Sequence, residues 1–443
     1  MKKWSVTIVA IILICIVGFL LSFFNNLSSD RTNQDEEEIA EDAIELTFWR
    51  NFGNQAENKA YEELVAAFEA AHPNIVINMQ AIQFGDYELR LRTELAVGNH
   101  PDIMAIDSPN LALYVNAGYL LPLDPYMREV GIIDDIAEAT LNGIRFQDEI
   151  YLAPIVESSI ALFYNKHLFE EAGVPFPSED PDQPMTWEEV LEIAQIITNP
   201  DEEVFGIDPA QGFGDGEAPA YFKMPLLWQF GASVLSPDGT TASGYLDSKE
   251  AIEALQFYQD LYHKHGVAAV ELPSEPFESN KLAMTVLGSW QLKELQNNYP
   301  DFRLGEDFGV APLPKAMYQV VPNGGWSFGL SSKTNYPDEA WVFIEYITSY
   351  EGMKKYAEYT GDIPPRYSVA RDFPELNEYP RNIFVHQAQT YSKNRPVTPA
   401  YGVVSDAIKT LFEDVGIGGK DVEASAKEAV EKINTGLEEV QRP

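Results

Sequence analysis

Cysteine is almost absent. The 443-residue chain has one, Cys15, so it can form no intramolecular disulfide, no cysteine-built zinc site and no iron–sulfur cluster. Cations are scarce as well: 30 Lys and Arg stand against 69 Asp and Glu, a formal charge of −39, and a chain with so little basic surface is not expected to bind the phosphates of a nucleic acid. Histidine is sparse too, with six scattered residues and no H-E-x-x-H; His263 and His265, two apart, would not share a helix face. No metal or cofactor site is therefore expected. What the chain has in quantity is apolar residues (45%) and aromatics (12%), enough to bury a large core over two or three domains of about 150 residues each.

Met1-Lys2-Lys3 precedes an apolar run from Trp4 to Phe24, broken only by Ser5, Thr7, Gly18 and Ser22 and long enough to span a bilayer as a helix. The acid-dense stretch from Asp30 to Asp42 follows, and the positive-inside rule orients the rest of the chain outward. Residues 1–27 thus read as a signal or membrane anchor, and residues 28–43, polar and free of aromatics, as a flexible acidic spacer. Three fates stay open for the apolar run: an uncleaved anchor, cleavage, or acylation at Cys15 as in bacterial lipoproteins, although Ile12-Leu13-Ile14 stands before that cysteine where a small residue is usual. An exported chain this acidic stays soluble in salty or alkaline surroundings through its surface charge.

The fold starts at Ile44. Ile44 to Trp49 reads as a strand, and Tyr61, Leu64, Val65 and Phe68 recur at helical spacing until His72-Pro73. A strand at Ile75 to Met79, a helix around Tyr87 to Ala96 and a buried strand at Ile103 to Asp107 complete a β-α-β-α-β order, which argues for an α/β lobe with parallel strands. Thr186-Trp187-Glu188-Glu189 is a capping box, Ser248 opens another helix, and Val422, Ala426, Ala429, Ile433 and Leu437 form the apolar stripe of the last. Trp187 and Trp341 fall within helix patterns and are expected in the core.

Motifs for catalysis are weak. Gly325-Trp326-Ser327-Phe328-Gly329 fits G-x-S-x-G, with Asp362 and His386 following in the order an α/β-hydrolase needs. Such an elbow passes directly from strand to helix, however, and residues 330–336 intervene before the next helix signal at Pro337. The glycine-rich run at 212–216 lacks both a dinucleotide-binding spacing and a Walker lysine, and reads as a loop. Glycosidase chemistry needs two carboxylates at a set separation, a condition that 69 acids neither support nor exclude.

Several segments taken in order carry more information. They are Leu46-Thr47-Phe48-Trp49, the run from Gly98 to Ile103, the run from Gly118 to Leu123, the run from Tyr164 to Gly173, Gly288-Ser289-Trp290, Gly324-Gly325-Trp326 and the run from Ala340 to Ile344. Together they resemble the extracellular solute-binding proteins that feed ABC importers, in the branch that includes the maltose- and glycerol-3-phosphate-binding proteins. The resemblance covers nearly the whole exported part of the chain.

That resemblance implies an α/β fold of two lobes, periplasmic-binding-protein-like, with the ligand cleft between the lobes and a hinge crossed more than once. Residues 44–153 plus 283–332 are expected in the first lobe and 154–282 plus 333–443 in the second, with crossings near Ala153-Pro154, Leu282 to Leu287 and Ser331 to Asn335. Open α/β sheets bind ligands at the carboxyl ends of their strands, which places Trp49-Arg50-Asn51, Asp107-Ser108 and Glu157-Ser158 at the cleft. Sugar recognition needs flat apolar faces, which Trp49, Trp228, Trp290 and Trp326 offer, and hydroxyl partners, which Asp107, Glu157, Asn323 and Arg366 offer. Gly324-Gly325 lets backbone approach the ligand closely. The implied function is that of a monomeric, membrane-tethered, extracytoplasmic receptor capturing a carbohydrate, an oligosaccharide, by hinge closure and handing it to permease subunits, with no catalytic residues. Two readings from other classes stay open: a secreted hydrolase, glycosidase or Ser-type, and a sensor subunit presenting ligand to a membrane kinase.

Overall fold

The computed structural model describes residues 43–209 and 216–441. The expected anchor and nearly all of the spacer lie outside those residues, as does most of the glycine-rich run. Strand β1 (Ile44–Phe52) leads into helix α1 (Gln55–Ala71), β2 (Ile75–Gln83), α2 (Phe84–Ala96) and β3 (Ile103–Asp107). Beyond a run of short helices come β4 (Leu152–Pro154), β5 (Ile160–Asn165), α3 (Trp187–Ile197), β6 (Phe205–Asp208), α4 (Ala218–Gln229) and α5 (Lys249–His263). Then follow β7 (Leu282–Gly288), α6 (Gln291–Asn298), β8 (Phe308–Ala311), β9 (Trp326–Leu330), α7 (Pro337–Thr348), α8 (Tyr350–Thr360), α9 (Arg381–Thr390), α10 (Tyr401–Phe412) and α11 (Val422–Gln441).

Two sheets result. The first has the order β2-β1-β3-β9-β4, with β1, β2 and β3 parallel and β9 antiparallel to both its neighbours. All five residues of β3 are buried, as a strand flanked on both edges and covered on both faces must be. Helix α1 is fixed by Asn54, whose side chain accepts the Glu57 N–H, and it lays Tyr61, Leu64 and Phe68 on the sheet. The second sheet has the order β8-β5-β7-β6. Every residue of β5 is buried, and the strand's two-residue period divides them: Phe163 meets Phe308 and Phe384 on one face of the sheet, while Ile160, Leu162 and Tyr164 enter a second core under α3, α4, α5, α10 and α11 on the other. That second core also holds the stripe of α11, and α3 carries its capping box. The two-lobed α/β architecture implied by the sequence is present.

Two parts of the chain fall in the other lobe from the one expected. Strands β7 and β8 pair with β5 in the second sheet, although residues 283–332 were expected in the first lobe. Helices α7 and α8 pack on the first lobe instead of the second. Phe343 meets Phe48 at 5.5 Å and Phe68 at 5.0 Å, and Tyr356 meets Tyr61 at 5.4 Å, so the aromatic face of α1 and β1 selects them. The crossings shift accordingly. The chain leaves the first sheet between β4 and β5, near the expected place, returns between β8 and β9, and leaves again after α8 to reach α9, where Gln387 ties to Ile160 and Leu313 of the second lobe. Leu282 to Leu287 is a central strand, and Ser331 to Asn335 joins two first-lobe elements, so neither is a crossing.

The three crossings run side by side. The Ile155 N–H donates to the Trp326 carbonyl at 3.1 Å, Ser158 to Gly324 at 3.0 Å and Glu157 to Ile363 at 2.7 Å. Gly325 is required where they touch. Its φ is +132°, and a Cβ there would stand 1.9 Å from the Val156 carbonyl oxygen.

Candidate functional site

A cleft with about 1240 Å³ of empty space, its mouth included, lies between the sheets against this hinge. The carboxyl ends of β1 and β3 supply Asn51 and Asp107, α4 supplies Tyr221 and Phe222, the residues around α6 supply Trp290 and Glu294, and the crossings supply Ser158, Gly325, Trp326 and Asp362. Parallel strands all end on one side, so their last residues fall together.

Aromatic rings form two patches. Trp326, the first residue of β9, meets Tyr87 edge-on at 5.7 Å and Phe84 at 6.3 Å. Trp290 lies 6.2 Å from both Tyr221 and Phe222, and its ring crosses Gly288 so closely that a Cβ there would stand 2.2 Å from it. Gly324 is pressed in the same way: a Cβ would stand 2.4 Å from Tyr221, whose hydroxyl pairs with the Ser158 Oγ at 2.9 Å. The rings have apolar faces and, in Tyr221, a polar tip.

Charge is arranged in two groups. Arg395 is buried and bidentate to Asp107 at 2.7 and 2.9 Å, and it also donates to Glu217 Oε1 at 2.7 Å. Asp107 ends a strand of the first sheet and Glu217 precedes α4 of the second lobe, so one guanidinium ties the two lobes at the cleft. Glu217 further accepts hydrogen bonds from Tyr401 and Ser405. Burial, with Asp107 adding, raises its carboxyl above the usual range against the pull of Arg395. The second group is Glu57, Asp362 and Glu294. Burial pushes Glu57 up to about 6 despite Arg50, and pushes Asp362 up to about 7, with repulsion from Glu57 adding to it. Among the described residues no group of three or more His, Cys, Asp or Glu is placed to hold a metal ion.

Of the residues expected at the cleft, Asn51, Asp107, Ser158, Trp290, Gly325 and Trp326 line it, and Gly324 stands behind its wall against Tyr221. The expectation is corrected for the rest. Trp49 turns away and lies under Arg90 at 5.3 Å. Arg50 is buried below the floor, 4.5 Å over the Tyr61 ring and donating to the Asn51 carbonyl. Ser108 opens a short 3-10 helix and packs near Gly143. Glu157 turns inward to accept from Thr140, and burial pushes its carboxyl up to about 8. Trp228 is a core residue of α4, with Lys393 over its ring at 5.2 Å. Asn323 binds Asn394 at 2.5 Å and straps the hinge, and Arg366 is paired with Asp135 at 2.8 Å.

The residues not foreseen are Glu57, Tyr221, Phe222, Glu217, Asp362, Glu294 and Arg395. For Arg395 the signal was its charge alone: it and Lys393 are two cations close together, just before Pro396, in a strongly acidic chain. For the hydrolase reading, Ser327 sits inside β9, paired with Ile106 and Pro154 on either side, so no strand-to-helix elbow exists there. His386 pairs with Asp182 instead.

Comparison with known proteins adds an independent line. The family model for the bacterial extracellular solute-binding protein matches residues 53–354. A binding protein of Brucella abortus is 24% identical over 392 residues, 85% of this chain and 89% of its own length. A maltotriose-binding protein of Pyrococcus abyssi is 24% identical over 400 residues, 88% of this chain and 81% of its own. Among solved structures, an ABC transporter solute-binding protein of Thermotoga lettingae bound with α-D-tagatose superposes with a TM-score of 0.77 at 26% identity, covering 89% of this chain and all of that one (100%).

Proposed function

The chain belongs to the bacterial extracellular solute-binding proteins, and on that premise we propose that it is the receptor of an ABC importer and captures a carbohydrate between its lobes without chemistry. The cleft carries the reading: Trp290, Tyr221 and Phe222 from the second lobe and Trp326 from the first offer ring faces to sugar C–H surfaces, while Asn51, Ser158 and the carboxylates offer hydroxyl partners. The cavity proper, about 390 Å³, lies within the roughly 300–1,000 Å³ typical of small-molecule sites, room for a carbohydrate. The relatives include proteins named for maltotriose and arabinooligosaccharide, in line with this. A thermal-shift screen with mono- and oligosaccharides tests it. A sugar at 100 times its dissociation constant adds about 2.7 kcal/mol to folding stability, and a protein whose unfolding no sugar delays would refute the carbohydrate reading.

The family is extracellular, and the apolar run from Trp4 to Phe24 supports a tether to the outer face of the membrane, by anchor or by lipid, with the globule acting as a monomer. No helix of the described residues is long and apolar enough to cross a membrane. Membrane partition that persists in high salt, and release on deleting residues 1–28, are the expected results. A full-length product recovered free and trimmed near Ser28 would refute the tether.

A further inference from the structure

The lobes touch each other directly across the cleft. Phe84 opens α2 of the first lobe and packs on the second core, where a Cβ added to Gly216 would stand 3.4 Å from its ring. Arg92, further along α2, lies beside α10 of the second lobe, so close that a Cβ on Gly402 would stand 2.8 Å from its Nη1. Deeper in, Asp107 of the first lobe accepts from both Nη groups of Arg395.

Arg395 itself belongs to the second lobe. It precedes α10, whose Tyr401, Val404 and Ile408 sit in the second core, and its other partners stay on that side: Glu217 at 2.7 Å and the Tyr221 ring at 5.1 Å. Glu217 is in turn held within the lobe by Tyr401 and Ser405. The bidentate pair with Asp107 is therefore the contact that crosses between the lobes, and it can part without leaving a bare charge. Arg395 would keep Glu217 and the Tyr221 ring, and Asp107, which lines the cleft, would return to water as the cleft widens. A buried pair broken by substitution differs, because there the remaining charge is stranded. The pairing also has direction. Two parallel N–H···O bonds form together only at one separation of the two walls.

We infer that Arg395 is a releasable latch: its pair with Asp107 holds the lobes together ahead of any ligand and sets how much of the protein stands closed, so that a ligand has less of the closing to drive. The inference goes beyond the carbohydrate reading and holds whatever the ligand is. Its test needs none. Spin labels at Leu89→Cys on α2 and Asp406→Cys on α10, both exposed and flanking the contact of Arg92 with Gly402, report the separation of the lobes in the full chain carrying Cys15→Ser. Pulsed electron–electron resonance on this labelled parent should show short distances as the larger population. Asp107→Asn keeps the shape and leaves Arg395 with Glu217, while Arg395→Lys keeps the charge and loses the fork. Neither strands a buried carboxylate, so folding is not at stake. Each should move the ratio of short to long distances at least about fivefold toward long, the weight of a charge-assisted hydrogen bond. Glu217→Gln takes a charge from the same cluster but leaves the pair across the lobes, and should keep short distances in the majority. Long distances prevailing in the labelled parent, a shift below about fivefold in Asp107→Asn or Arg395→Lys, or an equal shift in Glu217→Gln would overturn the latch and leave the carbohydrate reading standing.

Discussion

Trp326 is braced edge-on by Tyr87, and Trp290 is laid across Gly288, so both rings are oriented before any ligand arrives. Pre-set aromatic anchors lose little entropy on binding, and truncating one typically costs about 1–3 kcal/mol, roughly 5- to 150-fold in affinity. That loss is expected of Trp326→Ala and of Trp290→Ala in a fluorescence titration. A large drop in melting temperature with affinity intact would instead assign that ring to the core. Arg395 carries a different load. Replacing it with Met strands Asp107 and Glu217 as buried, unpaired carboxylates, and breaking a buried pair from one side costs about 3–5 kcal/mol. Urea unfolding should show that loss; a change below about 1 kcal/mol would mean that solvent reaches the pair. The two tryptophans were legible in the sequence because glycines flank them. For Arg395 the chain showed a cation but not its partners, since it lies 288 residues from Asp107 and only the third crossing brings them together. Glu157 misled for the opposite reason: it stands at the carboxyl side of a strand, where a cleft ligand belongs, but its side chain turns back to Thr140.

Among the elements, the first parallel strands and their helices could be read off the chain, because short apolar-rich runs alternating with stripes at helical spacing have few other uses. Strand β7 and helices α7 and α8 could not, because an apolar strand or stripe fits either lobe until its partners are known. Rings decided it, with Phe343 seated between Phe48 and Phe68. The hinge depends on Gly325, and Gly325→Ala should lower stability by more than about 1 kcal/mol, since the new Cβ meets a carbonyl and the backbone has a positive φ. Retention of wild-type stability in chemical denaturation would show that the crossing strands can part at little cost. Glu157 makes the hinge pH-sensitive. Its folded value of about 8 lies above the ordinary 4.5, so over that window the folded chain keeps a proton that the unfolded chain has released. The resulting stability is complete below the lower value and is lost as pH rises through the upper one, a few kcal/mol at most. Glu157→Gln should therefore reduce the decline in unfolding free energy between those two values, and an undiminished decline would assign it to Asp362 and Glu57.

For the molecule as a whole, the cleft has polar groups on both walls, so a sugar satisfies all of its hydroxyls only where the walls meet. The ligand then favours the closed arrangement, and that difference in affinity is what moves the population. Small-angle scattering should show a smaller radius of gyration at ligand saturation, and an unchanged value would indicate a rigid pocket. Such a rotation would fall on three strands that hydrogen-bond to one another at Ile155, Glu157 and Ser158. Threefold joining has a consequence under digestion. A protease that severs one crossing leaves the lobes covalently linked through the other two, with the cross-strand bonds still in place. Such a nicked molecule would separate into pieces in denaturing gels yet elute as a single species from a sizing column, still able to grip its ligand.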